Sequence, residues 1–148
     1  METIERNVLR KIHNDFNSLF QKWFRLLIEG DKLSATLDAQ LSPKIEQNGY
    51  DTDYHSLSGG EKTAAALAYR LALNQAITNT AARIKTKDLI MLDEPTDGFS
   101  AEQVQKLRDV IQELNMKQVI IVSHEQEIES FADTTITFHK QEHVSTAT

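Results

Sequence analysis

The sequence predicts an α/β protein, a mostly parallel sheet flanked by helices, and three features predict it. Two short continuous apolar runs, Leu89-Ile90-Met91-Leu92 and Val119-Ile120-Ile121-Val122, read as strands buried on both faces. A helix-period segment opening at Ser100 lies between them. Ahead of both, residues 3–29 repeat apolar side chains every three or four positions.

The elements follow in chain order. In the leading segment Ile4, Val8, Ile12, Phe16, Leu19, Phe20, Trp23, Phe24 and Leu27 share one face, and Gly30 suits a left-handed helix end. The stripe is narrow in the first half, as in a coiled-coil seam, and broad and aromatic in the second, as in docking on a globular body. Leu33, Ala35, Leu37, Ala39 and Leu41 alternate with polar residues, which predicts a half-buried strand ended by Pro43. Asn48-Gly49 marks a turn, and residues 50–57 read as loop. Ser58 with Glu61 is a capping box, opening an alanine-rich helix through Ala64, Ala65, Leu67, Ala68, Leu71, Ala72 and Ile77. Ser100 and Gln103 form a second cap, with Val104, Leu107, Ile111 and Leu114 inward. A short acidic helix near 125–132, a strand at Thr134–Phe138 and a frayed polar tail complete the pattern.

At 148 residues the chain has the size of one domain and can bury a real core. The absence of cysteine excludes disulfides, thiolate zinc sites and cysteine nucleophiles. No run of about 18 apolar residues predicts a membrane span. The opening residues have no signal-peptide pattern, so no secretory signal is expected. Sixteen basic against 22 acidic side chains argue against nucleic acid as a tight partner of the isolated chain.

Ligands of parallel sheets sit beyond the carboxyl ends of the strands. Asp93 and Glu94 follow the first buried run. A strand-end aspartate can hold magnesium through water, and a neighbouring glutamate can orient or deprotonate an attacking water. The plainer alternative is one carboxylate capping the next turn and the other solvated. Ser123 and His124 follow the second run, where an imidazole can meet a phosphate oxygen or simply face solvent. His13, His55, His139 and His143 follow no buried strand; the spacing of the last two suits adventitious metal at most. In Leu57-Ser58-Gly59-Gly60-Glu61, two glycines at a helix start leave backbone N–H groups open beside a serine hydroxyl, an anion site or else a plain permissive cap.

Together and in this order, these features resemble an ABC-type ATPase. Leu57–Glu61 resembles the signature motif, Leu89–Glu94 the Walker B strand with its catalytic glutamate, Pro95–Ser100 the D-loop, and His124 the switch histidine. The resemblance covers about residues 56–138. Asp93-Glu94-Pro95-Thr96, and Val122-Ser123-His124-Glu125 followed by Phe131-Ala132-Asp133, look like the zinc-hook ATPases of DNA double-strand-break repair, the Rad fifty family. The alternatives are a chromosome-maintenance SMC head, whose strand usually reads D-E-V-D, and an ABC transporter subunit, which lacks such a leading helix. None of the five glycines makes the G-x-x-x-x-G-K-[ST] spacing, so the chain has no P-loop.

The resemblance implies the C-terminal lobe of an ATPase head: a coiled-coil stub at 1–30, the half-head at 31–138 and a tail at 139–148. It implies ATP and Mg²⁺ as ligands. Ser58, Gly59, Gly60 and Glu61 would meet the nucleotide of an opposite head, with Asp97 and Ser123 also at the nucleotide. Asp93 would hold Mg²⁺, Glu94 would activate water and His124 would sense the γ-phosphate. The implied partners are the P-loop-bearing N-terminal half, a second head, a Mre-type nuclease and double-stranded DNA, with no membrane. The implied location is the cytoplasm, nucleoid-associated, of a prokaryote or the nucleus of a eukaryote. DNA contact would fall to Arg6, Arg10 and Lys11 or to Arg83, Lys85 and Lys87, which otherwise read as solvated surface. One departure stands out: Ser100 replaces the aspartate that commonly ends the D-loop.

Overall fold

The aromatic half of the leading segment forms the centre of the core. In the computed structural model, which describes residues 2–28, 30, 32–80, 88–141 and 144–147, it belongs to helix α1 (Glu2–Leu27). Phe16, Phe20, Trp23, Phe24 and Leu27 are buried, whereas Val8 and Leu9 are exposed. They meet helix α2 (Gly59–Thr80), whose buried Ala64, Ala65, Ala68 and Ala72 let large rings approach its backbone. Tyr69 of α2 stands edge-on to Phe16 at 5.0 Å and to Phe20 at 5.9 Å. The Trp23 indole N–H donates to Gln75 Oε1 at 3.2 Å. Ile77 is exposed, and Ala76 takes the buried position near the end of the helix. Helix α1 ends at Leu27, so Gly30 lies three residues beyond it; its φ of +75° is a left-handed geometry that glycine adopts without steric cost.

The alternating segment is shorter than its pattern predicts. Strands β1 (Leu33–Leu37), β2 (Pro43–Gln47) and β3 (Tyr50–Thr52) form an antiparallel sheet. The Asp38 carboxylate accepts from the N–H groups of Gln40 and Ser42 at 2.8 and 2.9 Å, and Leu41 turns to φ +64°. This side-chain-organised turn ends β1 before Leu41. Pro43 opens β2 instead of ending a strand, a position that tolerates its missing N–H. Asn48 and Gly49, both at positive φ, close the β2–β3 hairpin, so part of the expected 50–57 loop is strand and Tyr54–Ser56 is a 3₁₀ turn. His13, which carries no strand-end chemistry, meets the Asp38 carbonyl through Nε2 at 2.8 Å. Asn17 Oδ1 accepts from the Leu37 N–H at 2.7 Å, so two polar side chains of α1 fix the end of this sheet.

The parallel pair is β4 (Leu89–Asp93) with β5 (Gln118–Val122), aligned from Leu89–Gln118 to Asp93–Val122. Between them runs helix α3 (Ala101–Leu114), where Val104, Leu107 and Val110 are buried and Ile111 and Leu114 only partly so. A short helix α4 (Gln126–Glu129) follows. The α/β class is as expected, but parallel pairing among the described residues is confined to β4–β5. The last strand also differs: residues 134–137 are not strand, and β6 (Phe138–Gln141) pairs antiparallel with β7 (Val144–Ala147) where a frayed tail was expected.

Nor are β4 and β5 buried on both faces. Ile90 and Leu92 face the core, but Met91 is 61% exposed, Val122 55% and Ile120 37%. One side of a parallel pair is thus an open apolar face, which such sheets rarely leave to water.

Candidate functional site

The two strand ends deliver one joined pair. Glu94 follows β4, with its N–H donating to the Val122 carbonyl at 2.9 Å, and holds φ +43°. A glutamate has no steric reason to adopt that left-handed geometry, so the surrounding structure imposes it. His124 follows β5, and its Nδ1 lies 3.0 Å from Glu94 Oε2. As an N–H, Nδ1 donates to the carboxylate. Neighbouring Thr96 is buried at 1% exposure, and its hydroxyl has no hydrogen-bond partner. Two local rules are thus broken within three residues, as happens where a loop is held for a task.

The Glu94 carboxylate, by hydrogen bond and by charge, raises the His124 pKa above its ordinary value, with smaller contributions from Glu125 and Asp97. Once Glu94 is ionised, the imidazolium and with it the bridge are complete below the raised pKa, and both are lost as pH climbs through it. An NMR titration of Glu94→Gln should therefore move the His124 midpoint down towards about 6.5. An unmoved midpoint would mean that the carboxylate does not set it.

The glycine pair starts α2. Glu61 N–H donates to Ser58 Oγ at 3.3 Å and Ser58 N–H donates to Glu61 Oε2 at 2.7 Å, the reciprocal box its spacing predicts. Gly59 and Gly60, as first-turn residues, have no carbonyl one turn back to receive their N–H groups. Ser58 and Gly59 are exposed, and a Cβ on Gly59 would meet nothing within 4 Å. Gly60 is different. Its Cα is closed over, and a Cβ there would lie 2.5 Å from Gln103 Oε1 and 2.8 Å from the Gly98 carbonyl. Gly98 itself stands at φ +76° against Gly59 and Gly60.

Two clusters therefore meet through the 95–99 loop. On one side stand Ser58, Gly59, Gly60 and Glu61; on the other, Asp93, exposed at the end of β4, and the Glu94–His124 pair. Asp97 is exposed on the loop between them. Ser123 instead turns its Oγ to the Glu125 N–H at 3.1 Å. Ser100 caps α3, accepting from Gln103 N–H while Gln103 Oε1 accepts from Ser100 N–H. Sequence reasoning missed Thr63, whose hydroxyl donates to the Asp97 carbonyl at 2.7 Å. No local pattern distinguishes it from any other helix threonine. Arg10 and Lys11 are exposed on α1, whereas Arg83, Lys85 and Lys87 lie outside the described residues, as do His143 and the side chains of Arg6 and His139.

Among the described residues no three His, Asp or Glu side chains form a ready metal centre. An ion held by one carboxylate, water and substrate phosphates needs none, and Asp93 is free to serve in that way.

Comparison with known proteins adds the family. Residues 33–113 match the model described as SbcC/RAD50-like, Walker B motif. A DNA double-strand break repair Rad50 ATPase of Archaeoglobus fulgidus is 32% identical over 148 aligned positions, 96% of this chain and 16% of that protein. The Rad50 ATPase of Pyrococcus abyssi is 43% identical over 94 positions, 62% of this chain and 10% of that protein. The chain thus spans about a sixth or less of these relatives. A solved Smc head domain with coiled coil and joint from Pyrococcus yayanosii shares the fold, with TM-score 0.75, 21% identity, and coverage of 99% of this chain and 29% of that one. With the matched region running from β1 through α3 and holding both the glycine pair and the strand-end carboxylates, the chain belongs to the SbcC/RAD50-like Walker B family.

Proposed function

We propose that this chain acts as the C-terminal half of the ATPase head of a DNA double-strand-break repair machine. In this reading residues 1–30 are the base of a coiled-coil arm, 31–138 the half-head and 139–148 a tail. The observation that carries the reading is the open apolar face of Met91, Ile120 and Val122. It lies on the same parallel strands whose ends carry Asp93, Glu94 and His124, in a chain without a P-loop. A second, P-loop-bearing half seated on that face would remove the apolar surface from water and bring triphosphate to the carboxylates.

The residues then divide the work. Asp93 would hold Mg²⁺, which when bound neutralises charge on the phosphates. Glu94 accepts the proton of the attacking water, and His124 fixes that carboxylate while presenting its second ring nitrogen to the γ-phosphate. Ser58 and the Gly59 and Gly60 N–H groups contact ATP held by an opposite head. A helix N-terminus attracts phosphate, and only ATP offers a γ-phosphate there. That difference between ATP and ADP is what can drive two heads together and release them. A Mre-type nuclease and double-stranded DNA are the partners this role implies. The site would then work in the cytoplasm beside the nucleoid, or in the nucleus. No described helix is long and apolar enough to cross a membrane.

The test is reconstitution. The chain alone should hydrolyse no ATP, and adding a P-loop-bearing half should produce both turnover and ATP-dependent doubling in mass by light scattering. Turnover by the chain alone would overturn the divided-head reading.

A further inference from the structure

The glycine-led start of α2 and the carboxylate end of β4 share no direct hydrogen bond among those described, yet the loop between them is pinned to the helix. Thr63 lies four residues after Gly59, hence on the same helix face and one turn along. A threonine inside a helix ordinarily returns its hydroxyl to the carbonyl four residues back. Thr78 of the same helix does so, donating to the Asn74 carbonyl at 2.7 Å. Thr63 instead reaches out of the helix to the Asp97 carbonyl, also at 2.7 Å.

What it holds is a short loop closed by its own turn hydrogen bonds. Asp97 N–H donates to the Glu94 carbonyl and Phe99 N–H to the Thr96 carbonyl, at 3.4 and 2.8 Å. Glu94 begins this turn in the left-handed geometry that aims its carboxylate at His124. On the far side Gly98 packs on Gly59 and Gly60 so closely that no side chain fits at Gly60. A displacement of the first turn of α2 must therefore be transmitted to the loop, by steric contact at Gly98 and through the hydrogen bond at Asp97.

We propose that Thr63 is a positioning residue: its hydroxyl latches the Asp97 carbonyl to α2, so that occupation of the Ser58–Gly60 helix start sets the backbone that aims Glu94. Thr63 touches no substrate and acts through Asp97 and the turn behind it. The latch itself is a property of this chain, and its role in turnover rests on the ATPase reading above.

Two variants of the chain test it. Thr63→Val keeps the shape and removes the hydroxyl; Thr63→Ser keeps the hydroxyl. By NMR-detected hydrogen exchange, the Asp97 and Phe99 amides should exchange about threefold to tenfold faster in Thr63→Val, the factor one net hydrogen bond supplies, and return to normal in Thr63→Ser. Unchanged exchange in Thr63→Val overturns the latch whatever the chain does with ATP. With the P-loop-bearing half added, Thr63→Val should lose turnover by a similar factor while ATP-dependent association stays, and Thr63→Ser should restore it. Faster exchange with wild-type turnover overturns the transmission to Glu94. Faster exchange in Thr63→Val, beside a wild-type chain and P-loop-bearing half that neither associate nor turn over ATP, supports the latch and removes the ATPase reading instead.

Discussion

Glu94→Gln should leave ATP-dependent association of the reconstituted heads intact and slow hydrolysis by about 10² to 10⁴, the range spanned by loss of a positioned general base. The amide keeps the size of the carboxylate and can still accept a hydrogen bond from His124 through its oxygen. It cannot take the proton of water at neutral pH. Because the change spares the start of α2, ATP-dependent association should persist, and the associated state should live longer. Single-turnover rates beside light-scattering decay separate the two effects. Wild-type turnover in the variant removes Glu94 from the catalytic role, and loss of association would show that the carboxylate serves assembly.

Ser58→Arg should abolish ATP-dependent association altogether. Ser58 is exposed beside the open Cα of Gly59, so an arginine there fills the ground in front of the helix start instead of pressing into the core. It also removes the capping hydroxyl from Glu61 N–H, a loss of about 0.5–2 kcal/mol of stability. Ser58→Ala loses the same cap without the bulk, so equal melting of the two variants assigns any difference in association to the blocked phosphate seat. Association of Ser58→Arg at the wild-type level would count against a contact reaching across from another head.

Much of the site is legible in the sequence because its signals are short-range. The Ser58–Glu61 and Ser100–Gln103 boxes need only three-residue spacing, and both form. Asp93, Glu94 and His124 were marked by their places after apolar runs, which is enough to put them at adjacent ends of β4 and β5. Pairing Glu94 with His124 also requires the register of the two strands, which no single segment contains.

Where the reading failed, a non-local or side-chain-specific interaction prevailed. Periodicity ran on to Leu41, but the Asp38 carboxylate captured the N–H groups of Gln40 and Ser42 and turned the chain. Continuous apolar runs implied strands covered on both sides, yet Met91 and Val122 are exposed, because apolarity records what a surface requires and not whether its cover lies in the same chain.

By itself, then, the sequence determined the helix starts, the α/β class, the order of the strand-end groups and the missing P-loop, since each depends on neighbours within a few residues. The tertiary structure alone decided that Gly60 is required by the Gly98 carbonyl, that Thr63 bonds Asp97 rather than its own helix, and that one face of β4–β5 stays open. Those outcomes depend on distances between segments far apart in the chain, and such distances are set only when α1, α2 and the parallel pair pack together.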